Sequence, residues 1–239
     1  MTLITALHPP PWPDAFLANP WFAGLPLAER QGLLAAAERV RLPPGAMLFR
    51  KGDAAQAAGG GFYGLVQGVI KASTLRQDGR EAILAVLEPG NWFGEISLID
   101  GSPRTHDATA LTPIDVLVVP PAAFARQMQS LVFAQAMAAL LAARVRGLYG
   151  LMEDTTLRSL RARVAHRLLT LARGDATQSA DVRAAVMLPQ EALAMMLGIS
   201  RQTLSSELAA LARDGIVKLG YRRIEIVSAE RLEALGRTH

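Results

Sequence analysis

Residues Gly90–Thr105 combine side-chain types that suit a phosphate-binding site. We predict a turn, a one-turn helix that starts near Gly94, and a loop that presents Arg104 and Thr105. Free N–H groups at a helix N-terminus attract a phosphate, and the Arg104 guanidinium would neutralise it through a forked contact. The Thr105 hydroxyl would add a donor, and Glu95 would accept from a ribose hydroxyl. The alternative is that Arg104 and Glu95 form a structural salt bridge.

A second stretch, Leu188–Leu208, has the pattern of two helices that cross at a tight turn. Gly198 gives the turn its conformational freedom, and Ser200 is a good N-cap for the second helix. The buried stripe of that helix is formed by three leucines: Leu204, Leu208 and Leu211. The opposite, exposed side carries four polar residues: Arg201, Gln202, Ser205 and Ser206.

Such a polar helix face suits the DNA major groove, because Arg bonds guanine, Gln bonds adenine, and Ser bonds a base or a phosphate. Two short strands are predicted next, Asp214–Lys218 and Tyr221–Val227, around a basic tip that contains Arg222 and Arg223. This is the layout of a winged helix-turn-helix, whose wing contacts a phosphate or the minor groove. The alternative is a helical hairpin that only packs against another part of the protein.

The phosphate-binding stretch lies within a region of predicted short strands. Between residues 42 and 119, turn signals recur about every 8–12 residues, which is typical of a small β-barrel or sandwich. The runs between these turns include Phe62–Val66, Val69–Thr74, Ala82–Leu87 and Val116–Val119. Before this region, residues 1–25 are predicted to be an irregular, proline-rich lead-in, and Leu27–Val40 is predicted to be a short helix.

A long helical region follows, because Ala122–Ala172 contains no proline and is rich in helix-forming residues. A nearly heptad seam is formed by Met137, Leu141, Val145, Leu148 and Met152. We predict that this seam packs along a second copy of the helix, and the alternative is that it packs on the chain's own barrel. Glu153–Thr156 interrupts the pattern, so we place a helix break and a domain boundary there. Beyond the next helix, Gly174–Arg183 is predicted to be a polar connector.

Composition and charge agree with two domains of different character. The 239 residues are 51% hydrophobic and 19% charged, which excludes a disordered chain. Residues 1–155 carry 12 basic and 13 acidic side chains, whereas residues 156–239 carry 13 basic and 8 acidic ones. The basic excess therefore lies with the predicted DNA-binding motif, as a polyanionic partner requires.

Several classes of site are excluded by what the sequence lacks. With no cysteine, and with four histidines that have no metal-binding spacing, we expect neither a metal nor a covalent cofactor. The sequence contains no P-loop and no nucleophile–histidine motif, so we do not expect an enzyme. We also expect a cytoplasmic protein with no signal peptide and no membrane span, because the apolar stretch Val132–Ala143 is too short for one.

Together these motifs resemble the cyclic-AMP receptor protein / fumarate–nitrate reduction regulator (Crp/Fnr) superfamily of bacterial transcription factors, from about Asn19 to the C-terminus. The sequence FGEISLIDGSPRT is similar to the family's phosphate-binding cassette. The resemblance implies an α+β fold with four parts: a lead-in (1–25), a jelly-roll-like cyclic-nucleotide-binding β-roll (26–130), a dimerisation helix (131–154) and a winged helix-turn-helix domain (155–239).

By position, the resemblance carries the ligand-binding role to Gly94, Glu95, Arg104 and Thr105. The predicted ligand-binding residues are Gly94, Glu95, Ile96, Ser97, Arg104, Thr105, Arg144 and Tyr149. The predicted DNA-binding residues are Ser200, Arg201, Gln202, Thr203, Ser205, Ser206, Arg222 and Arg223. The implied partners are a second copy of the chain, a palindromic double-stranded DNA operator and RNA polymerase. Cyclic AMP is the favoured effector; the alternatives are a cyclic dinucleotide, no small effector, or a nucleotide-binding scaffold without DNA activity.

The chain departs from the family pattern at three places. His106-Asp107 follow Thr105, where a small alanine and an apolar residue are usual. Leu148-Tyr149 or Tyr149-Gly150 stand where cyclic-AMP binders have an adenine-contacting Thr-Ser pair. Arg201-Gln202…Ser206 replaces the family's Arg-Glu…Arg reading set, so we expect a different operator. The sequence leaves the base specificity and the role of His106 open.

Overall fold

We describe a computed structural model of the chain, which covers residues 14–57, 59–75, 77–79, 81–175 and 182–237. Three helices precede the first strand: α1 (Asp14–Leu17), α2 (Pro20–Gly24) and α3 (Leu27–Ala36). The prediction of an irregular lead-in is therefore wrong for most of residues 14–24, whereas residues 1–13 lie outside the described part. The predicted helix over Leu27–Val40 is also too long, since Val40 belongs to a strand.

Aromatic packing explains why the lead-in folds. Phe16 and Phe22 are fully buried, with ring centroids 5.0 and 5.5 Å from that of Trp92. The side chain of Asn19 caps α2 by accepting a hydrogen bond from the Trp21 N–H, and Pro20 suits the first helical position. The aromatic residues thus belong to the core rather than to a loop.

The region of predicted short strands forms two four-stranded antiparallel sheets that pack as a β-roll. The strands are β1 (Glu38–Leu42), β2 (Met47–Phe49), β3 (Phe62–Gln67), β4 (Ile70–Leu75), β5 (Glu81–Leu87), β6 (Trp92–Phe93), β7 (Asp107–Ala110) and β8 (Ile114–Val119). One sheet has the order β1-β8-β3-β6 and the other β2-β7-β4-β5. Buried side chains such as Tyr63, Leu65, Ile70 and Val116 fill the space between them. A short helix, α4 (Ile96–Asp100), joins β6 to β7.

Two helices leave the β-roll, α5 (Pro121–Gln127) and the 27-residue α6 (Leu131–Leu157). Phe133 and Met137, in the first turns of α6, are buried against the β-roll. By length and composition alone, α6 is long and apolar enough to cross a membrane. The expectation of no membrane span was based on Val132–Ala143, which is only part of this helix. One such helix is weak evidence for a span, because the core helix of a soluble protein has the same length and composition.

The break after α6 lies later than predicted. The helix continues through Glu153–Thr156 to Leu157, and α7 (Leu160–Ala172) starts after its N-cap Ser159. Thr155 and Thr156 do not cap a new helix, because their hydroxyls donate to the carbonyls of Leu151 and Met152 one turn earlier. Asp154 is buried and pairs with Arg158 and His166, which stabilises the end of α6 instead.

The C-terminal part is a helical domain with a small sheet. Its further elements are β9 (Ala185–Val186), α8 (Gln190–Leu197), α9 (Arg201–Arg213), β10 (Val217–Gly220), β11 (Arg223–Ile226) and α10 (Ala229–Gly236). The three strands pair in the order β10-β11-β9. No sequence pattern predicted β9, which is only two residues long. Residues 176–181 of the predicted connector lie outside the described part of the chain.

This domain docks onto the β-roll through β5. Ile83 and Val86 belong to the same buried cluster as the leucines of α8 and α9. Asp175 accepts a 2.8 Å hydrogen bond from the Val86 N–H and forms a forked pair with Arg167 at 2.8 and 2.9 Å. Arg183 forms a second forked pair with Glu88, at 2.9 and 2.8 Å.

Candidate functional site

Arg104 lies inside the β-roll and is only 4% exposed. Its Nη1 donates to the carbonyl of Gly94 at 2.6 Å and its Nη2 donates to the carbonyl of Gly61 at 2.9 Å. The guanidinium carbon is 4.6 Å from the ring centre of Phe49, which suits a cation–π contact. Burial lowers the pKa of Arg104, and the nearby Tyr63, Glu95 and Asp53 oppose that shift. The structure thus holds one buried cation at a fixed position.

Gly94 is required by this arrangement. Its φ is +92°, and a Cβ there would lie 2.8 Å from a ring carbon of Tyr63 and 3.1 Å from Nη1 of Arg104. Any side chain at this position would therefore push against both the pocket wall and the arginine.

Glu95 is fully buried beside Arg104 but pairs with a different arginine. Its Oε1 accepts a hydrogen bond from Arg144 of α6, whose Nη2 also donates to the carbonyl of Trp92 at 2.6 Å. The predicted alternative, a salt bridge between Arg104 and Glu95, is not formed in this described region. The second oxygen, Oε2, is buried and has no hydrogen-bond partner. A buried acceptor without a donor is costly, so this oxygen is a ready partner for a hydroxyl of a bound molecule.

Thr105 and His106 follow Arg104 in the chain, and with Arg104 and Glu95 they define the candidate ligand pocket. The Oγ1 of exposed Thr105 lies 2.8 Å from Nδ1 of half-buried His106. The His106 ring centroid is 5.7 Å from that of Phe49, the residue that also contacts Arg104. Burial lowers the pKa of His106, and Glu95, Arg104, Arg144 and Asp107 are the charges that face it.

The other predicted ligand-binding residues differ in how far they are exposed to solvent. Ser97 is buried and Ile96 is 38% exposed, both in the first turn of α4. Tyr149 is 67% exposed on α6, and no hydrogen bond or ring contact joins it to the pocket within the described residues. Helix α6 places Arg144 beside Glu95, whereas Tyr149, further along the same helix, is exposed to solvent in the single chain.

Sequence reasoning missed the groups that hold the predicted residues in place. The carbonyls of Gly61 and Trp92 give no sequence signal, because every residue has one. Phe49 and Tyr63 come from β2 and β3, whose pairing with the cassette is visible only in the fold.

The second candidate site is the exposed face of α9. Gly198 has φ +66° at the end of α8, and Ser200 caps α9 by accepting from the Thr203 N–H at 3.0 Å. The leucine stripe of Leu204, Leu208 and Leu211 is fully buried, as predicted. The polar residues on the other side are exposed: Arg201, Gln202, Thr203, Ser205 and Ser206. Ser200 and Thr203 thus also have a structural role in starting the helix.

The wing tip lies between β10 and β11. Arg222 is exposed with φ +51°, and Tyr221 beside it is 92% exposed. Arg223 closes the hairpin opposite Gly220, and its Nη2 lies 3.6 Å from a carboxylate oxygen of Glu225. The structure brings the wing and α9 into one domain, with their polar groups open to solvent.

Within the described ranges, no group of three or more His, Asp or Glu side chains is placed to hold a metal ion. The arrangement is that of a β-roll joined by a long helix to a winged helix-turn-helix, which defines the class of two-domain DNA-binding proteins. Residues 39–130 match the model of the cyclic nucleotide-binding domain, and residues 162–235 match that of the Crp-like helix-turn-helix domain. The chain belongs to the Crp/Fnr family of transcription regulators.

Curated relatives and solved structures agree with this family. The chain is 32% identical over 219 residues to the cyclic AMP receptor protein of Thermus thermophilus, covering 91% of this chain and 97% of that one. It is 29% identical over 218 residues to the CRP-like cAMP-activated global transcriptional regulator of Mycobacterium tuberculosis, covering 90% and 96%. The structure of FixK2 from Bradyrhizobium japonicum shares the fold, with a TM-score of 0.74, 23% identity and coverage of 85% and 98%.

The family confirms the coarse predictions made from the sequence. The chain is a DNA-binding transcription regulator with a cyclic-nucleotide-binding domain, and such regulators are not enzymes. The α+β fold, with its β-roll, long helix and winged helix-turn-helix, is also confirmed.

Proposed function

We propose that the protein is a homodimeric regulator whose operator binding is controlled by cyclic AMP bound in the β-roll. The observation that carries the proposal is the pair of buried groups with opposite requirements, the Arg104 guanidinium and the partnerless Oε2 of Glu95. A cyclic nucleotide offers an anionic phosphate to the first and a ribose hydroxyl to the second. The relatives named for cyclic AMP support this choice of nucleotide.

The same pocket supplies a route from ligand to helix. Arg144 lies on α6 and bonds both Glu95 and the carbonyl of Trp92. A ribose hydroxyl that bonds Glu95 competes with Arg144 for the same carboxylate. Ligand binding therefore changes the contact that holds α6 against the β-roll. Ligand binding then favours one arrangement of the DNA-binding domains over another, as population shift requires.

Dimerisation is supported by the exposed half of the predicted seam. Met137 packs on the β-roll, but Val145, Leu148 and Met152 are 47%, 61% and 65% exposed. Fully burying an exposed side chain of this kind contributes about 1.5–3 kcal/mol, and covering these partly exposed ones contributes a share of that. A second copy of α6 covers this stripe by the heptad packing that its spacing allows.

The DNA-binding role is assigned to α9 and the wing. Arg201, Gln202, Ser205 and Ser206 are exposed for base and phosphate contacts, and Arg222 extends the surface from the wing tip. A twofold dimer requires a palindromic operator with half-sites about one helical turn apart. By analogy with the family, RNA polymerase is a partner, and the protein works in the cytoplasm among soluble regulators.

Isothermal titration with cyclic AMP, cyclic GMP and cyclic di-GMP tests the effector. We expect a binding isotherm with cyclic AMP, and we expect Arg104→Leu to abolish it because the buried cation is lost. Arg126→Leu, which removes an exposed arginine of α5, is the matched control and should bind as the wild type does. No heat with cyclic AMP would contradict the proposed effector, and heat with cyclic di-GMP alone would favour the dinucleotide.

A further inference from the structure

His106 stands in the pocket where the family pattern has a small residue, and the proposed function does not yet use it. We propose that His106 is a proton-linked positioning residue: it takes up a proton when the effector phosphate binds and thereby releases the Thr105 hydroxyl to donate to that phosphate. The inference rests on the proposed function, since it needs a phosphate beside Thr105.

The hydrogen bond between the two residues has a direction that depends on the proton. The Thr105 Oγ1 and the His106 Nδ1 are 2.8 Å apart. A neutral histidine whose Nδ1 carries no proton accepts here, so the threonine hydroxyl donates to the ring and its only donor is used. In the imidazolium form Nδ1–H donates to Oγ1 instead. The hydroxyl proton of Thr105 is then free for a phosphate oxygen.

Burial, rather than the surrounding charges, favours the neutral form of His106 until an anion arrives. Burial lowers the pKa of His106, and the faces packed against it carry two acids, Glu95 and Asp107, and two arginines, Arg104 and Arg144. Glu95 precedes α4, Arg104 lies in the loop before β7, Asp107 begins β7, and Arg144 lies on α6. Because they nearly balance, one added phosphate charge within the pocket decides which form of the ring is favoured.

The consequence is a pH-dependent affinity with a defined sign. In the free protein His106 is neutral above its lowered pKa, and the bound phosphate raises that pKa. Binding therefore takes up a proton between the two pKa values, and the affinity increases as the pH falls through this range. A cyclic phosphodiester keeps its single negative charge throughout, so the proton goes to the protein.

Calorimetry measures this proton directly. Titrations with cyclic AMP from pH 6 to pH 8, each in buffers with different ionisation heats, give the number of protons taken up per site. We expect an uptake that approaches one proton, with an affinity that weakens by up to about tenfold per pH unit. His106→Asn, whose amide stands close to the position of Nδ1 but does not titrate, should bind with the same stoichiometry, no uptake and a flat pH profile.

Two further variants make the result decisive. His166→Gln removes the histidine that pairs with Asp154 far from the cassette and should keep the wild-type uptake. His106→Gln repeats the test should the asparagine variant unfold at a lower temperature than the wild type. Binding that is independent of pH, or uptake that survives in both His106 variants, would overturn the inference and leave the effector standing. Failure to bind at any pH would overturn the effector and the inference together.

Discussion

At the residue scale, the pocket places each charged group against a partner that limits its movement. Arg104 is held by two carbonyls, and Glu95 is held by Arg144. The cassette sequence predicted Arg104 and Glu95, because both lie in one short segment. It did not predict Glu95 with Arg144, or Arg104 with Gly61, because these contacts join residues 49 and 43 positions apart. Only the packing of α6 and β3 brings them together.

Asp115, on the inner strand β8, gives a residue-scale test of stability. Arg39 bonds this buried carboxylate at 2.8 and 2.7 Å, and Arg41 adds a bond at 3.0 Å. The hydrogen bonds from Arg39 lower the pKa of Asp115, although burial opposes the shift. Because both arginines are at least half exposed, we expect Asp115→Asn to cost only about 1 kcal/mol of unfolding free energy at neutral pH.

The pH dependence of that cost has a fixed sign. The folded pKa of Asp115 lies below its unfolded pKa, so its contribution is fully present above the unfolded value and is lost as the pH falls through the folded one. Urea unfolding of the wild type and of Asp115→Asn between neutral and strongly acidic pH should therefore converge. A stability gap that stays constant would show that the carboxylate charge contributes nothing.

At the element scale, α6 has two halves with different environments. Its first turns pack on the β-roll through Phe133 and Met137, whereas the seam from Val145 to Met152 is exposed. The heptad spacing predicted the seam, but not where the barrel stops covering it. The late end of the helix also escaped prediction, because Thr155 and Thr156 bond their own helix instead of capping the next one.

The exposed seam predicts the oligomeric state. Leu148→Glu places a carboxylate where two copies of α6 would meet, so desolvation and like-charge repulsion should convert the dimer to a monomer. Ala143→Glu adds the same charge to an exposed position on the opposite side of the helix and should remain dimeric. Sedimentation velocity of both variants measures the outcome. An unchanged dimer in Leu148→Glu would mean that the seam is not the interface.

At the scale of the whole molecule, two ion pairs lie where the DNA-binding domain meets the β-roll. Arg183 pairs with Glu88, directly after β5. Asp175, which pairs with Arg167 inside the DNA-binding domain, accepts a hydrogen bond from the Val86 N–H of β5. The pair of Arg167 with Asp175 is buried, with side chains 7% and 5% exposed. The pair of Arg183 with Glu88 is more open, at 49% and 23%. The sequence predicted the two domains and their charge difference. It did not predict how they dock. One contact uses the backbone N–H of Val86, and nothing in the sequence distinguishes Arg167 and Arg183 from the other arginines.

The burial difference predicts unequal costs of removing each pair. Asp175→Asn leaves Arg167 charged in a buried place and should lower the unfolding free energy by about 3 kcal/mol. Arg183→Gln breaks the more exposed pair and should cost about 0–1 kcal/mol. Denaturant unfolding, with probes in both domains, compares the two variants directly. Equal costs would show that the Arg167 pair is as solvated as the Arg183 pair.

The central claim is that a cyclic nucleotide in the β-roll controls DNA binding by α9. Its most direct measurement is fluorescence anisotropy of an operator selected from genomic fragments, titrated with the protein in the presence and absence of saturating cyclic AMP. For the wild type and the Arg126→Leu control, we predict that cyclic AMP changes the operator affinity by about five- to 150-fold. For Arg104→Leu we predict operator binding that does not respond to cyclic AMP. Equal wild-type affinities with and without the nucleotide would contradict the account.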